Sequence, residues 1–356
     1  MVPSRRLGAL GVVLVMFAVT VGLAACGSSS NGSSTGEAGA SSASEAGGEK
    51  VSIAFVGPTG ASEVVYNAYE GASKFAEANG ATVANLNSGE PNPQHQAEIA
   101  ENAVTSGRYD AMIIYPYETA SALAGIEQAA DAGMKTVTIF ATQGPDIDAT
   151  KPQIPAVSGQ VFSPWNELGA ALGESMVEAC GDADPCKVAY IPGFSALVTE
   201  KDFIDAMTAV LKEHPSISYS ETKPGEYNPT TAQGITEDLL TKAPDTDIIG
   251  TAGDQAAVGI VQAVESAGLE EQVKVYGQGA SQWAVDSIHA GKLYGSVVNN
   301  SQPGKVGEQA ASMAIKAVRG EKIANPGVPA TVPGIPLVLT QENQSEWTNY
   351  VPGWKG

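Results

Sequence analysis

The sequence predicts an α/β protein made of two doubly wound, parallel-sheet lobes. From Val51 onward, short apolar strands alternate with amphipathic helices. The alternation runs through the chain twice, in two blocks of similar rhythm. Apolar residues make up 43% of the chain, with 40 glycines and few aromatics, a composition of globular α/β domains rather than disordered segments. Strict βα alternation places helices on both faces of parallel sheets through right-handed crossovers. About 300 residues follow the N-terminal region, enough for two domains of ordinary size.

In the first block, Val51–Val56 reads as a strand closed by Gly57-Pro58-Thr59-Gly60. The helix after it sets Val64, Val65, Ala68, Tyr69, Ala72, Phe75 and Ala76 on one face. Strand Thr82–Leu86, a helix from Pro93 to Ser106, strand Ala111–Tyr115, helix Ala120–Ala132 and strand Thr136–Phe140 follow. The second block runs through helix Asn166–Ala179, strand Lys187–Ile191 and a helix turning Ile204, Met207, Val210 and Leu211 inward. Then come strand Ile217–Glu221, helix Thr231–Thr241, strand Asp247–Gly250, helix Gln255–Ala267 and strand Val273–Tyr276. Helix Gln282–Ala290, strand Gly295–Asn299 and helix Gly304–Val318 close the pattern. The tail from Ile323 is rich in Pro and Gly, with one short apolar strand at Pro336–Leu339. Val51–Gly57 and Lys187–Gly193 echo each other, each a strand running into a loop and a helix. Ligands in such sheets collect at the carboxyl ends of the strands, here the cleft between the lobes.

The N-terminus carries an address. Arg5 and Arg6 precede an apolar run from Leu7, which ends in Leu23-Ala24-Ala25-Cys26. A basic start, an apolar run and small residues before a cleavage point make an export signal. A cysteine just after that point resembles the bacterial lipoprotein signal, with residues 1–25 removed and Cys26 acylated. Two acyl chains on Cys26 hold a protein on a membrane. The competing reading is an uncleaved span, since the run is about long enough to cross a bilayer. Either way the globular part works outside the cytoplasm. Residues 26–50, mostly Gly, Ser and Ala, form a flexible tether with a reach of about 25–30 Å.

Removing residues 1–25 takes away Arg5 and Arg6, so 19 basic residues become 17 against 39 acidic ones, a net charge of −22. That surface repels nucleic acid and anionic lipid. Cys180 and Cys186 are the only cysteines besides Cys26. In an exported protein a close pair most simply forms a disulfide. A zinc site is the sharper alternative, but His95, His214 and His289 follow no ligand spacing. No cofactor or metal is implied. There is no phosphate-binding Gly-rich loop, no His-Glu-x-x-His and no Gly-x-Ser-x-Gly, because Gly193-Phe-Ser195-Ala-Leu197 breaks the last pattern. Gly277-Gln-Gly279 stops short of a dinucleotide fingerprint.

From about Val51 to Lys322 the chain resembles the extracytoplasmic sugar-binding proteins of ABC importers, in the ribose- and galactose-binding group. The residues carrying the resemblance are Tyr69-Glu70-Gly71-Ala72, Ile113-Ile114-Tyr115-Pro116, Ala129–Gly133, Asp254–Gly259, Ala290-Gly291-Lys292-Leu293 and Ala317–Glu321. The resemblance implies a periplasmic binding protein type I fold joined by a three-crossing hinge near 159–162, 299–301 and 325–328. The first lobe would comprise 51–161 and 300–327, the second 162–299 and 328–356. Sugar-responsive repressors share the fold but carry a DNA-binding headpiece where this chain has its export signal.

Carried over position by position, the first binding loop falls at Ala61–Val65 and offers Ser62 and Glu63. The family's Asn-Pro after the third strand becomes Tyr115-Pro116, and its Asp-Arg clamp becomes Phe140-Ala141, a more apolar wall. In the second lobe, Lys201 stands for a ligand-binding Arg and Tyr227 for an aromatic. Gly253-Asp254 replaces an Asn-Asp pair, Gln278 or Gly279 an Asp, and Asn299 a hinge Gln. Tyr115, Phe140 and Tyr227 together would make the pocket aromatic-rich. Trp165 and Trp283 are candidate stacking platforms or ordinary packing residues. Lys201 fits a ligand role or a solvated helix face. Asp254, at a helix start, fits an N-cap and a hydroxyl-binding group at once.

The implied function is a lipid-anchored, monomeric solute receptor that is not an enzyme. It would bind a small neutral sugar or polyol-like ligand between its lobes and deliver it to an ABC permease. A lipoprotein presenting its ligand to a membrane kinase is the alternative, with a cell-wall sugar enzyme behind it.

Overall fold

The computed structural model describes residues 50–59, 62–87, 89, 91–146, 149–194 and 197–356. The export signal, Cys26 and the tether lie outside the described residues.

The first sheet forms from β1 (Val51–Val56), β2 (Ala81–Asn85), β3 (Ala111–Ile114), β4 (Lys135–Phe140) and β5 (Val157–Phe162), with helices α1 (Glu63–Ala78), α2 (Pro93–Thr105) and α3 (Thr119–Asp131) between them. The second block runs α4 (Trp165–Cys180), β6 (Cys186–Ile191), α5 (Val198–Lys212), β7 (Ile217–Glu221), α6 (Pro229–Lys242), β8 (Ile248–Thr251), α7 (Asp254–Ala267), β9 (Lys274–Gln278), α8 (Gln282–His289) and β10 (Gly295–Val297). α9 (Pro303–Val318), β11 (Gly327–Pro329) and β12 (Val338–Thr340) complete the chain.

The two sheets share one plan. Their strand orders are β11-β5-β4-β3-β1-β2 and β12-β10-β9-β8-β6-β7. Each opens with a strand whose neighbours are the next two strands in sequence, so the winding reverses beside β1 and beside β6. Crevices at such reversals collect ligands. Among the described pairings only β12 runs antiparallel, against β10. The chain leaves the first sheet between β5 and α4, returns between β10 and α9, and leaves again between β11 and β12.

Both strand faces are buried, which is why the strands read as nearly unbroken apolar runs: Ala111–Ile114 and Ile248–Thr251 are buried throughout. β5 was not expected as a strand, because Ser158, Gly159 and Gln160 interrupt its apolar run. Gly159 is there for closeness: a Cβ on it would sit 2.7 Å from the Met313 sulfur of α9. α9 in turn packs on α1 backbone to backbone, and a Cβ on Gly307 would lie 1.8 Å from the Ala68 carbonyl oxygen. Helix starts follow local chemistry. Asn92 and Asn228 each accept hydrogen bonds from the first turn of α2 and α6, with Pro at the first helical position. Cys180 and Cys186 are disulfide-bonded, joining the end of α4 to the start of β6. Among the described residues no group of three His, Cys, Asp or Glu side chains is arranged to hold a metal.

Candidate ligand-binding site

A cavity of about 360 Å³ lies where the carboxyl ends of both sheets meet, within the range of small-molecule sites. The first sheet contributes Pro58 and Thr59 after β1, Ser62 before α1, and Tyr115 and Tyr117 after β3. The second contributes Phe194 after β6, Thr199 and Glu200 at the start of α5, and Tyr227 before α6. Gln278 at the end of β9, with Asn299 and Asn300 after β10, forms another wall. Trp165 at the start of α4 and Trp354 from the tail add two indoles.

Rings line much of this space. Phe194 packs against Tyr227 at 5.2 Å and Tyr117 at 6.4 Å between centroids. Trp165 meets Phe203 edge-on at 6.5 Å, and its Nε1 donates to the Phe140 carbonyl at 2.8 Å. Trp354 Nε1 donates to the Gly279 carbonyl at 3.0 Å, which fixes the tail across the opening of β9. Such rings offer apolar faces to a ligand while their polar edges are satisfied by the protein.

Among the described residues Glu200 is the one buried carboxyl in the wall. The Tyr227 hydroxyl donates to its Oε1, and the Gly193 N–H donates to its Oε2 at 3.2 Å. Burial pushes its carboxyl up to about 7, against the opposing pull of those two donors. Tyr227 is raised well above the usual phenol value, first by burial and then by Glu200. On the opposite side Gln278 Nε2 donates to the Tyr190 hydroxyl at 2.8 Å, and Asn299 Nδ2 donates to Gln278 Oε1 at 3.3 Å. Asn299 Oδ1 is buried with no hydrogen-bond partner, an acceptor left over in the wall. The backbone is held in the left-handed region at Tyr227 (φ 54°) and Asn300 (φ 48°), conformations that cost roughly 1–3 kcal/mol each and concentrate at ligand sites.

Of the residues expected at the site, Ser62, Tyr115, Trp165, Tyr227, Gln278 and Asn299 line the cavity. Four others do not. Phe140 is fully buried behind Tyr115, ring centroids 5.0 Å apart, and belongs to the core of the first sheet. Glu63 accepts a hydrogen bond from the Lys355 N–H at 3.2 Å, tying α1 to the tail. Lys201 points to solvent and pairs with Asp205 one turn on. Asp254 is not the cap of α7, which is Gly253, but its first residue. Its carboxylate lies beneath the cavity wall, accepting from the Ser281 N–H and the Ser296 hydroxyl, both at 2.8 Å. Burial raises its pKa, and those donors oppose the rise. Trp283 packs against the core of the second sheet.

Glu200 was missed although helical spacing marks it. Glu200, Phe203, Met207 and Leu211 recur at three- and four-residue steps, and all four are buried. Extending that stripe toward the helix start turns Glu200 inward and, 100° around, Lys201 outward. Trp354 gave no periodic signal, since it sits in an irregular tail.

Residues 53–322 match the family described as periplasmic binding protein domain. The chain belongs to this periplasmic binding protein family. Its members are solute-binding proteins, not enzymes. Among curated relatives, the D-ribose/D-allose-binding protein of Pseudomonas aeruginosa is 28% identical over 238 residues, 64% of this chain and 70% of that one. The ribose import binding protein RbsB of Escherichia coli is 22% identical over 255 residues, 71% of this chain and 80% of that one. Among solved structures, an ABC transporter solute-binding protein from Mycobacterium smegmatis with bound glycerol superposes with a TM-score of 0.72 at 21% identity, covering 85% of this chain and 98% of that one. One from Actinobacillus succinogenes with bound D-allose gives 0.70 at 21% identity, covering 85% of this chain and all of the other. These two superpositions establish the binding protein type I fold.

Proposed function

We propose that this binding protein is a lipid-anchored receptor that captures a small hydroxylated ligand, sugar- or polyol-like, and delivers it to an ABC permease. The carrying observation is the composition of the cavity wall: ring faces from both sheets, with hydrogen-bonding groups from Glu200, Gln278, Asn299 and Tyr227 between them. A sugar ring presents apolar faces and a polar rim, and such a wall complements both. Two of the relatives are named for ribose, and two superposed structures hold allose and glycerol, all polyhydroxy compounds. Anchoring rests on the Leu23–Cys26 signal. The units 51–161 with 300–327, and 162–299 with 328–356, move as the two bodies that close on the ligand.

Protein purified from the membranes of its own host tests both halves. Its intact mass should be that of residues 26–356 plus a diacylated N-terminus. A thermal-shift panel of sugars and polyols should include compounds that raise Tm, since a ligand at 100 times Kd stabilises by about 2.7 kcal/mol. An unmodified Cys26 defeats the anchor, and a panel without any shift defeats the receptor.

A further inference from the structure

The charge pattern of the cavity says more about the ligand. None of the residues lining the cavity is Lys, Arg or His. None of the undescribed positions beyond residue 50 is basic either. Lys201, the one cation that sequence placed here, is turned away onto Asp205. What the wall offers instead is acceptors. Glu200, a residue only 7% exposed, and Asn299, whose buried Oδ1 has no hydrogen-bond partner, both line the cavity. Around them stand Tyr117, Phe194, Tyr227, Trp165 and Trp354, whose ring faces attract cations. A buried carboxylate without a counter-charge is costly, and among the described residues none that lines the cavity supplies one.

We infer that the natural ligand carries a cationic nitrogen, an amine on a hydroxylated skeleton, and that Glu200 is its counter-ion among the ring faces. This rests on the receptor reading above and replaces its expectation of a neutral ligand. An ammonium donates hydrogen bonds and accepts none, which matches a wall with spare acceptors. It also brings the positive charge that the family's Arg would otherwise have supplied to the site.

The pH behaviour follows from the groups facing Glu200. They are Tyr115 and Tyr117 from the loop after β3, Tyr190 of β6, Tyr227 before α6 and Glu221 at the end of β7. The four phenols have raised pKa values and stay neutral, and Glu226, which also lines the cavity, is exposed to solvent, so Glu200 is the buried carboxyl whose titration the ligand meets. In the empty site its carboxyl titrates at about 7, so below that pH an ammonium must displace a proton before it can pair.

Matched probes decide the matter: 1-amino-1-deoxy-D-glucitol against D-glucitol, and D-glucosamine against D-glucose, titrated into the purified protein by calorimetry. The amine of each binding pair should bind at least tenfold more tightly than its neutral partner at pH 8. Affinity for the aminoglucitol should rise about tenfold between pH 6 and 8, with proton release, while that for glucitol should not rise. Glu200→Gln can still accept from Tyr227 but has no charge, so it should lose the amine preference and the pH dependence. Neutral members binding as tightly as amines would overturn the inference and leave the receptor reading standing. A Glu200→Gln variant that keeps the preference would overturn it too. If that variant does not fold, a flat pH profile of the parent protein is the overturning result. Absence of binding by all four probes also overturns it, whereas the receptor reading falls only if the wider sugar and polyol panel is silent as well.

Discussion

At the scale of single residues, Glu200 shows how a functional group is set by its surroundings. Its pKa of about 7 in the folded protein lies above its ordinary value of 4.5 because burial penalises the charged form. Between those two values the folded protein holds a proton that the unfolded chain has released. Stability contributed by this group therefore falls as pH rises from 4.5 to 7, then stays level. The difference corresponds to roughly 3 kcal/mol. Urea denaturation of the ligand-free protein should show the parent losing about that much relative to Glu200→Gln across the window. Parallel curves for the two proteins would mean that Glu200 is ionised when folded. Ser62, Tyr115, Tyr227 and Asn299, which the family resemblance pointed to position by position, line the cavity. Phe140 ends β4, and its ring, with a backbone φ of 62°, is turned into the core behind Tyr115. No periodicity records whether a ring at a strand end faces the cavity or the core.

At the scale of elements, the helices and parallel strands were legible because burial on one or two faces writes itself as spacing. Ile217–Glu221 and Val51–Val56 lie where their apolar pattern put them. β5 and β11 were not seen as strands, since Gly, Ser and Gln in β5 and Pro in β11 serve close packing and an edge position. The disulfide is another element-scale device. Cys180 and Cys186 are six residues apart, so chain-entropy arithmetic gives the crosslink about 2 kcal/mol. Cys186 opens β6, whose other end leads to the cavity, roughly 20 Å along the strand. Replacing both cysteines by serine should therefore lower stability by about 2 kcal/mol while leaving ligand affinity unchanged. Chemical denaturation and calorimetry on the same variant read the two effects separately. Loss of affinity without loss of stability would place the loop at the site rather than at the far end of the sheet.

At the scale of the whole molecule, two sheets of the same strand order face one cavity, and the chain passes between them three times. That arrangement permits rigid-body closure with small backbone changes at the crossings. The tail contributes to the same device: its Trp354 lines the cavity, and the Lys355 N–H reaches Glu63 on α1. The chain carries 39 acidic against 19 basic residues, a net charge of −20 that favours solubility. As a receptor, the protein should enclose an unchanged small molecule between its sheets. Small-angle scattering with and without the strongest hit of the ligand panel tests it most directly, followed by recovery of the compound. The radius of gyration should be smaller with ligand, and the compound should be recovered intact. An unchanged radius at saturation, or a chemically altered compound, would contradict it.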